Sequence, residues 1–184
     1  VDLDGDADLQ IAVRDVDIEP FLPLIGDNIN ATGSVTGVIN MTGATKNPKV
    51  ELSASIANGS YNGIDIDQGF VLATMENHVI NVQRIQGVKE DYKLSAYGKI
   101  PLAALYTTGY LDANDSKAMD MTIDFNEADM AVIPLITPTV KDATGALKGV
   151  VHVTGTIDQP EAYGTVSVRN GTMTVSYTHL RAHE

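Results

Sequence analysis

Apolar and polar residues alternate with a period of two over most of the chain. Val35, Ile39 and Met41 fall opposite Ser34, Thr36, Asn40 and Thr42, and Val50, Leu52, Ala54 and Ile56 fall opposite Glu51, Ser53, Ser55 and Ala57. That spacing sends successive side chains to opposite faces of an extended strand, so each segment predicts a strand with one dry face. The same reading applies to Leu9, Ile11 and Val13, to Leu94, Ala96 and Ile100, and to Met119, Met121, Ile123 and Phe125. Helical periodicity is poor. Only Glu19 to Ile25 and Ala131 to Thr137 are apolar without alternation, and Pro23 and Pro134 break them, which predicts one or two short helical turns capping the sheet.

The pattern repeats. Asp8 to Tyr61 aligns without gaps on Asp120 to Met173 at an offset of 112, with 14 of 54 positions identical. Gly33, Gly37, Gly43, Pro48 and Gly59 match Gly145, Gly149, Gly155, Pro160 and Gly171. These residues govern turns, so the matched quantity is backbone geometry. Gly43 to Pro48 and Gly155 to Pro160 predict hairpin loops, and Asn58-Gly59 and Asn170-Gly171 predict the next reversals. In the second copy Leu147, Val151 and Val153 take the dry side, followed by Ala162, Gly164, Val166 and Val168.

About ten or eleven such strands at ~4.8 Å spacing would make a sheet about 50 Å wide. One aliphatic face of that size needs cover, at about 25 cal/mol per Å² exposed. Aromatic residues are 5% of the chain and Trp is absent, which is thin filling for a sandwich. The expectation is an all-β, elongated antiparallel repeat sheet rolled into a U-shaped hydrophobic groove.

Composition narrows the partners. Asp and Glu number 24 against 12 Lys and Arg, a net charge of −12, which repels phosphate backbones and makes nucleic acid an unfitting partner. With no Cys there are no disulfides, thiolate metal sites or Cys nucleophiles. The first residues carry neither a basic segment nor an initiator Met, so the chain reads as a fragment, residues 1 to 175, that begins inside a larger protein. From Ser176 to Glu184 the alternation stops, and this tail resembles translated sequencing adapter. Setting it aside removes His179 and His183 from any metal argument.

The sharper motifs fail on register. Asp2, Asp4, Asp6 and Asp8 around Gly5 suggest a calcium loop, yet counting from Asp2 puts Ala7 sixth and Val13 twelfth, where the loop needs Gly and Glu. A solvated acidic strand edge is the simpler reading. His78 and His152 stand alone in different predicted strands. No nucleophile elbow, phosphate loop or paired carboxylates occur, so the reading includes no catalytic residue, no metal site, no cofactor and no enzymatic activity.

TGSVTGVINMTGATKNP and TGALKGVVHVTGTIDQP, each leading to a strand and Asn-Gly, are similar to repeats of the TamB/AsmA-like family of translocation and assembly proteins in diderm bacteria. The resemblance covers about Asp8 to Val175. It implies an inner-membrane-anchored periplasmic rod in the cell envelope whose groove carries phospholipid to the outer membrane. It also implies a possible outer-membrane barrel partner of the TamA/BamA type and flanking repeats of the same protein. The expected lining is Val35, Ile39, Met41, Leu52, Ile56, Leu94, Ile100, Ile123, Phe125, Leu147, Val151, Val153, Val166 and Val168. The rival expectation is a surface adhesin or β-solenoid in which the same residues fill a closed core and the outer face binds protein or glycan.

Overall fold

The structure, a computed structural model, describes residues 5–22, 30–61, 63–90, 92–105, 116–133, 140–157 and 159–175. Asp2, Asp4, Pro23, Pro134 and the tail from Ser176 lie outside them. The strands are β1 (Asp6–Asp17), β2 (Ala31–Ala44), β3 (Lys49–Tyr61), β4 (Ile64–Glu76), β5 (Val79–Lys89), β6 (Tyr92–Pro101), β7 (Met119–Asp129), β8 (Val140–Gly155) and β9 (Pro160–Val175). They form one antiparallel sheet in the order of the chain. Two 3-10 turns, Glu19–Phe21 and Met130–Val132, follow β1 and β7, and a four-residue helix α1 (Leu102–Leu105) follows β6.

The all-β, elongated antiparallel repeat sheet holds, with one correction of shape. Nine strands lie among the described residues, and the sheet is open and uncurled rather than rolled into a U. Each strand makes its main backbone contacts with its sequence neighbours.

A second correction concerns the Asn-Gly pairs. Asn58-Gly59 and Asn170-Gly171 lie inside β3 and β9, where register shifts mark bulges, and do not reverse the chain. Asn58 and Asn170 adopt φ of 48° and 51°, a conformation Asn tolerates well, and here it serves a bulge rather than a turn. The real reversals include Thr45 to Pro48, as expected, and Asn77-His78, with φ of 51° and 60°. His78 therefore sits in a turn and not in a strand.

Positions 112 apart take corresponding places in the sheet. Val13 pairs Gly37 as Phe125 pairs Gly149, and Val16 pairs Val35 as Ala128 pairs Leu147. Local hydrogen bonds recur too. Thr32 and Ser60 hydroxyls meet at 2.8 Å, as do those of Thr144 and Thr172. The Asp17 carboxylate accepts from Glu19 N at 3.1 Å, and that of Asp129 accepts from Ala131 N at 3.0 Å.

Cross-strand pairing places paired side chains on one face. One transverse row runs Val16, Val35, Ile56, Gly69, Gly87, Leu94, Phe125, Gly149 and Val166. The next runs Val13, Gly37, Ala54, Val71, Ile85, Ala96, Ile123, Val151 and Gly164. Neither row contains a polar residue. On the opposite face, Gln10, Asn40, Glu51, Thr74, Asn81, Lys99, Asp120, Thr154 and Glu161 form a wholly polar row. The sheet is thus two-sided, as its alternation dictates.

Candidate functional site

On the apolar face lies a trough of about 580 Å³, bordered by Val35 on β2, Ala54 and Ile56 on β3, β4, β5, Leu94 on β6, and Ile123, Phe125 and Ala128 on β7. Its centre coincides with the first apolar row, where two glycines are directly paired, Gly69 on β4 and Gly87 on β5. A Cβ on Gly69 would run into Ile56 Cγ2, so Ile56 already leans over that position. A Cβ on Gly87 would meet nothing within 4 Å. The floor is therefore open at Gly87 and walled by Ile56 and Leu94.

At one end the trough meets the connections that follow β1 and β7. Ile18 borders it on one side and Ala128 with Asp129 on the other. Beyond Ala128 the face closes into a small core of Phe125, Ala128, Met130, Ala143 and Leu147, with Leu94, Ile123, Ile133 and Val151 packed against it. Phe125 and Leu147 are each 2% exposed, so the turn Met130–Val132 and its neighbours cover this corner. The charged residues at the margin are Asp65, Lys89, Lys93 and Asp129. Lys89 Nζ stands 3.9 Å from Asp65 Oδ2.

The sequence-derived lining residues are divided by this geometry. Val35, Ile56, Leu94, Ile123 and Phe125 border the trough. Ile39, Met41, Leu52, Ile100 and Val153 share its face but lie in rows farther along the strands. Leu147 is buried in the filled corner, with Val151 packed against it. Val166 and Val168 stand 41% and 48% exposed on β9. Much of β1 is equally open, with Leu9 and Ile11 each 48% exposed.

Sequence reasoning missed the contribution of β4 and β5, namely Ile64, Ile66, Val71, Ile85 and the glycine pair. In β4 the alternation changes phase at Asp67-Gln68, with half-buried Ile64 and Ile66 before it and Gly69 and Val71 after. In β5 a register shift between Val82 and Ile85 does the same. A strict period-two template loses such strands. Alternation sought separately on either side of each slip would have found them.

Chemically the trough offers aliphatic surface and little else. Among the described residues no three His, Asp or Glu side chains come together to hold a metal. His152 lies on the polar face, its Nδ1 3.1 Å from the Thr122 hydroxyl and 3.9 Å from Asp120, away from the trough. No buried side-chain polar atom among the described residues lacks a partner, so none points into the trough unsatisfied.

Fold and face together define an all-β protein whose described residues form a single open antiparallel sheet, apolar on one side and mixed on the other, where polar rows alternate with exposed Phe70, Leu72, Val150 and Tyr163. No family model, no curated protein and no solved structure matches the chain.

Proposed function

We propose that this protein is a non-catalytic envelope component whose apolar face shelters phospholipid acyl chains on their way between the inner and outer membranes. The observation that carries the reading is the open trough, bounded by apolar rows that cross the whole sheet without a charge. Pulling a sixteen-carbon chain through water costs roughly 12 kcal/mol, at about 0.8 kcal/mol per CH₂, and a dry track lowers that barrier. Branched aliphatic walls suit passage, since they hold a chain without fixing its head.

The resemblance of the two glycine-rich segments to TamB/AsmA-like repeats supports a periplasmic setting and a parent protein anchored in the inner membrane. On the same ground the partners are phospholipid, flanking repeats and an outer-membrane barrel of the TamA/BamA type, with which the protein also supports assembly of outer-membrane proteins. No helix among the described residues is long and apolar enough to cross a membrane. The adhesin or β-solenoid reading requires a closed, filled core over the whole face, and the exposure of Leu9, Ile11, Ile39 and Ile85 favours the groove instead.

The test is photo-crosslinking in cells. A photoreactive residue replacing Ile56 or Leu94 in the intact protein is expected to capture phospholipid, while the same residue replacing outward Asn40 or His152 captures none. Equal capture at both pairs, or capture at neither, would refute the reading.

A further inference from the structure

We propose that the outer edge of β9 is a self-association surface, on which a second copy of the chain docks its own β9 antiparallel about a twofold axis at Thr165. Among the described residues β9 pairs only with β8, so alternate N–H and C=O groups along its other side have no strand partner. The strand is 16 residues long, and Pro160 to Thr172 are all exposed. Its counterpart 112 residues earlier, β3, shows that such an edge is fit to pair, since β4 fills it from Val50 to Tyr61. The two flanks of the sheet differ in protection. β1 sets Asp6, Asp8, Asp15 and Asp17 against Arg14 and shifts register between Val13 and Val16, so like charges and a kink oppose pairing with a copy. In β9 the charged residues are Glu161 and Arg169, of opposite sign, and its own register shift lies beyond Arg169.

Those two charges fix the register. With the axis at Thr165, Glu161 falls opposite the partner's Arg169, Ala162 opposite the partner's Val168, Tyr163 opposite the partner's Ser167 and Gly164 opposite the partner's Val166, each pair occurring twice. Moving the axis to Gly164 or Val166 loses both ion pairs. Opposite charges facing across a strand pair stabilise it, and like charges destabilise it. Arg169 is held loosely within its own chain, with Nη2 3.8 Å from Glu127 Oε1 and its side chain 68% exposed, so it is free to turn to a copy. Gly164 against the partner's Val166 repeats a combination already in the sheet, where Ile56 lies across from Gly69 and fills the space above it. The same axis keeps both apolar faces on one side. The row that ends at Val166 continues into the partner's Gly164, the partner's Val151 and the partner's Ile123, so the apolar face crosses the junction without a charge. None of this depends on what occupies the trough.

The experiment is sedimentation equilibrium of the full chain at physiological ionic strength, where the net charge of −12 is screened beyond about 8 Å. Glu161→Arg and Arg169→Glu, each shown to be folded by circular dichroism, are run alone and as an equal mixture. The unaltered chain is expected to form dimers, and each variant alone to dissociate at least roughly tenfold more readily, because like charges then face each other across the axis. The mixture is expected to recover the dimer, since one variant facing the other restores opposite charges at both pairs. Recovery of this kind separates a matched register from general damage to the strand. Thr165→Cys, in a chain without other Cys, is expected to close a disulfide between two copies, while Asp8→Cys on β1 stays reduced. Equal dimerisation by all three chains, or a mixture no more dimeric than its components, overturns the register. An unaltered chain that stays monomeric overturns the proposal, and if it then binds a peptide copying Ile64–Glu76 the edge belongs to a flanking repeat instead.

Discussion

The corner formed by β7 and β8 and the corner formed by β1 and β2 are built on one plan and end in opposite states. Phe125, Ala128, Met130, Ala143 and Leu147 form a filled core in the first. Their counterparts 112 residues earlier are Val13, Val16, Ile18, Ala31 and Val35, of which Val13 is 36% exposed and Ile18 and Val35 border the open trough. Backbone register is the same in both. Two things differ: where the side-chain bulk sits, with Phe125 and Leu147 in place of Val13 and Val35 but Ala128 in place of Val16, and the neighbour among the described residues, since β6 flanks β7 while β1 is the first strand described. Matching backbones thus carry a core or a surface according to which positions hold the bulk and what lies beside them.

The largest test of this contrast is truncation. Phe125→Ala is expected to cost about 3–5 kcal/mol, because the surrounding residues cannot collapse into the space, while Val13→Ala costs less than about 1 kcal/mol. Urea unfolding measures both, and similar losses would break the comparison. Next come the hairpin glycines. Gly43 and Gly155 share φ of 88° and 82°, so Ala strains both, yet only at Gly155 would a Cβ approach another residue, Gln159 O at 2.6 Å. Gly155→Ala should cost about 1–3 kcal/mol and Gly43→Ala about 1 kcal/mol, read from the same unfolding curves.

A smaller effect should come from filling the open corner. Val13→Phe with Val35→Leu gives these two positions the bulk of Phe125 and Leu147, and is expected to raise stability by about 1 kcal/mol. The same pair narrows the trough, so fatty-acid probe fluorescence should fall. A drop in stability with no change in probe binding would show that volume is not what separates the corners.

The smallest effect is electrostatic. Lys49 has its pKa raised, first by the hydrogen bond from its ammonium to Glu51 and then by that carboxylate's charge. The Nζ to Oε1 distance is 2.8 Å. A raised folded-state pKa contributes stability that is whole below the ordinary lysine value and is lost as pH climbs through the raised one. The pair is solvent-exposed, so Glu51→Gln should leave neutral-pH stability unchanged within error and alter only the strongly alkaline limb of a pH titration.

Much of this was legible in the residues. Alternation in β2, β3, β7, β8 and β9 placed their apolar sides on one face because those strands keep phase over most of their length. The turns at Thr45 to Pro48 and after Gly155 were legible for the same reason that they form: Gly supplies positive φ and Pro ends the ladder. The Asn-Gly bulges were not, since positive φ at Asn serves a bulge as well as a turn and only the partner strand decides. Strand curvature was not legible either. A long one-faced sheet must shed exposed apolar area, but whether it rolls or awaits a ligand depends on what else is present.

The most direct test uses the absence of cysteine from the chain. Val35→Cys and Leu147→Cys place a single thiol at corresponding positions of the two corners, and labelling with a soluble thiol reagent is followed with and without phospholipid vesicles. Fast labelling of Val35→Cys that phospholipid slows, beside slow and lipid-insensitive labelling of a folded Leu147→Cys, is the predicted result. Equal rates at the two positions, or a Val35→Cys rate indifferent to phospholipid, would contradict an open trough that shelters acyl chains.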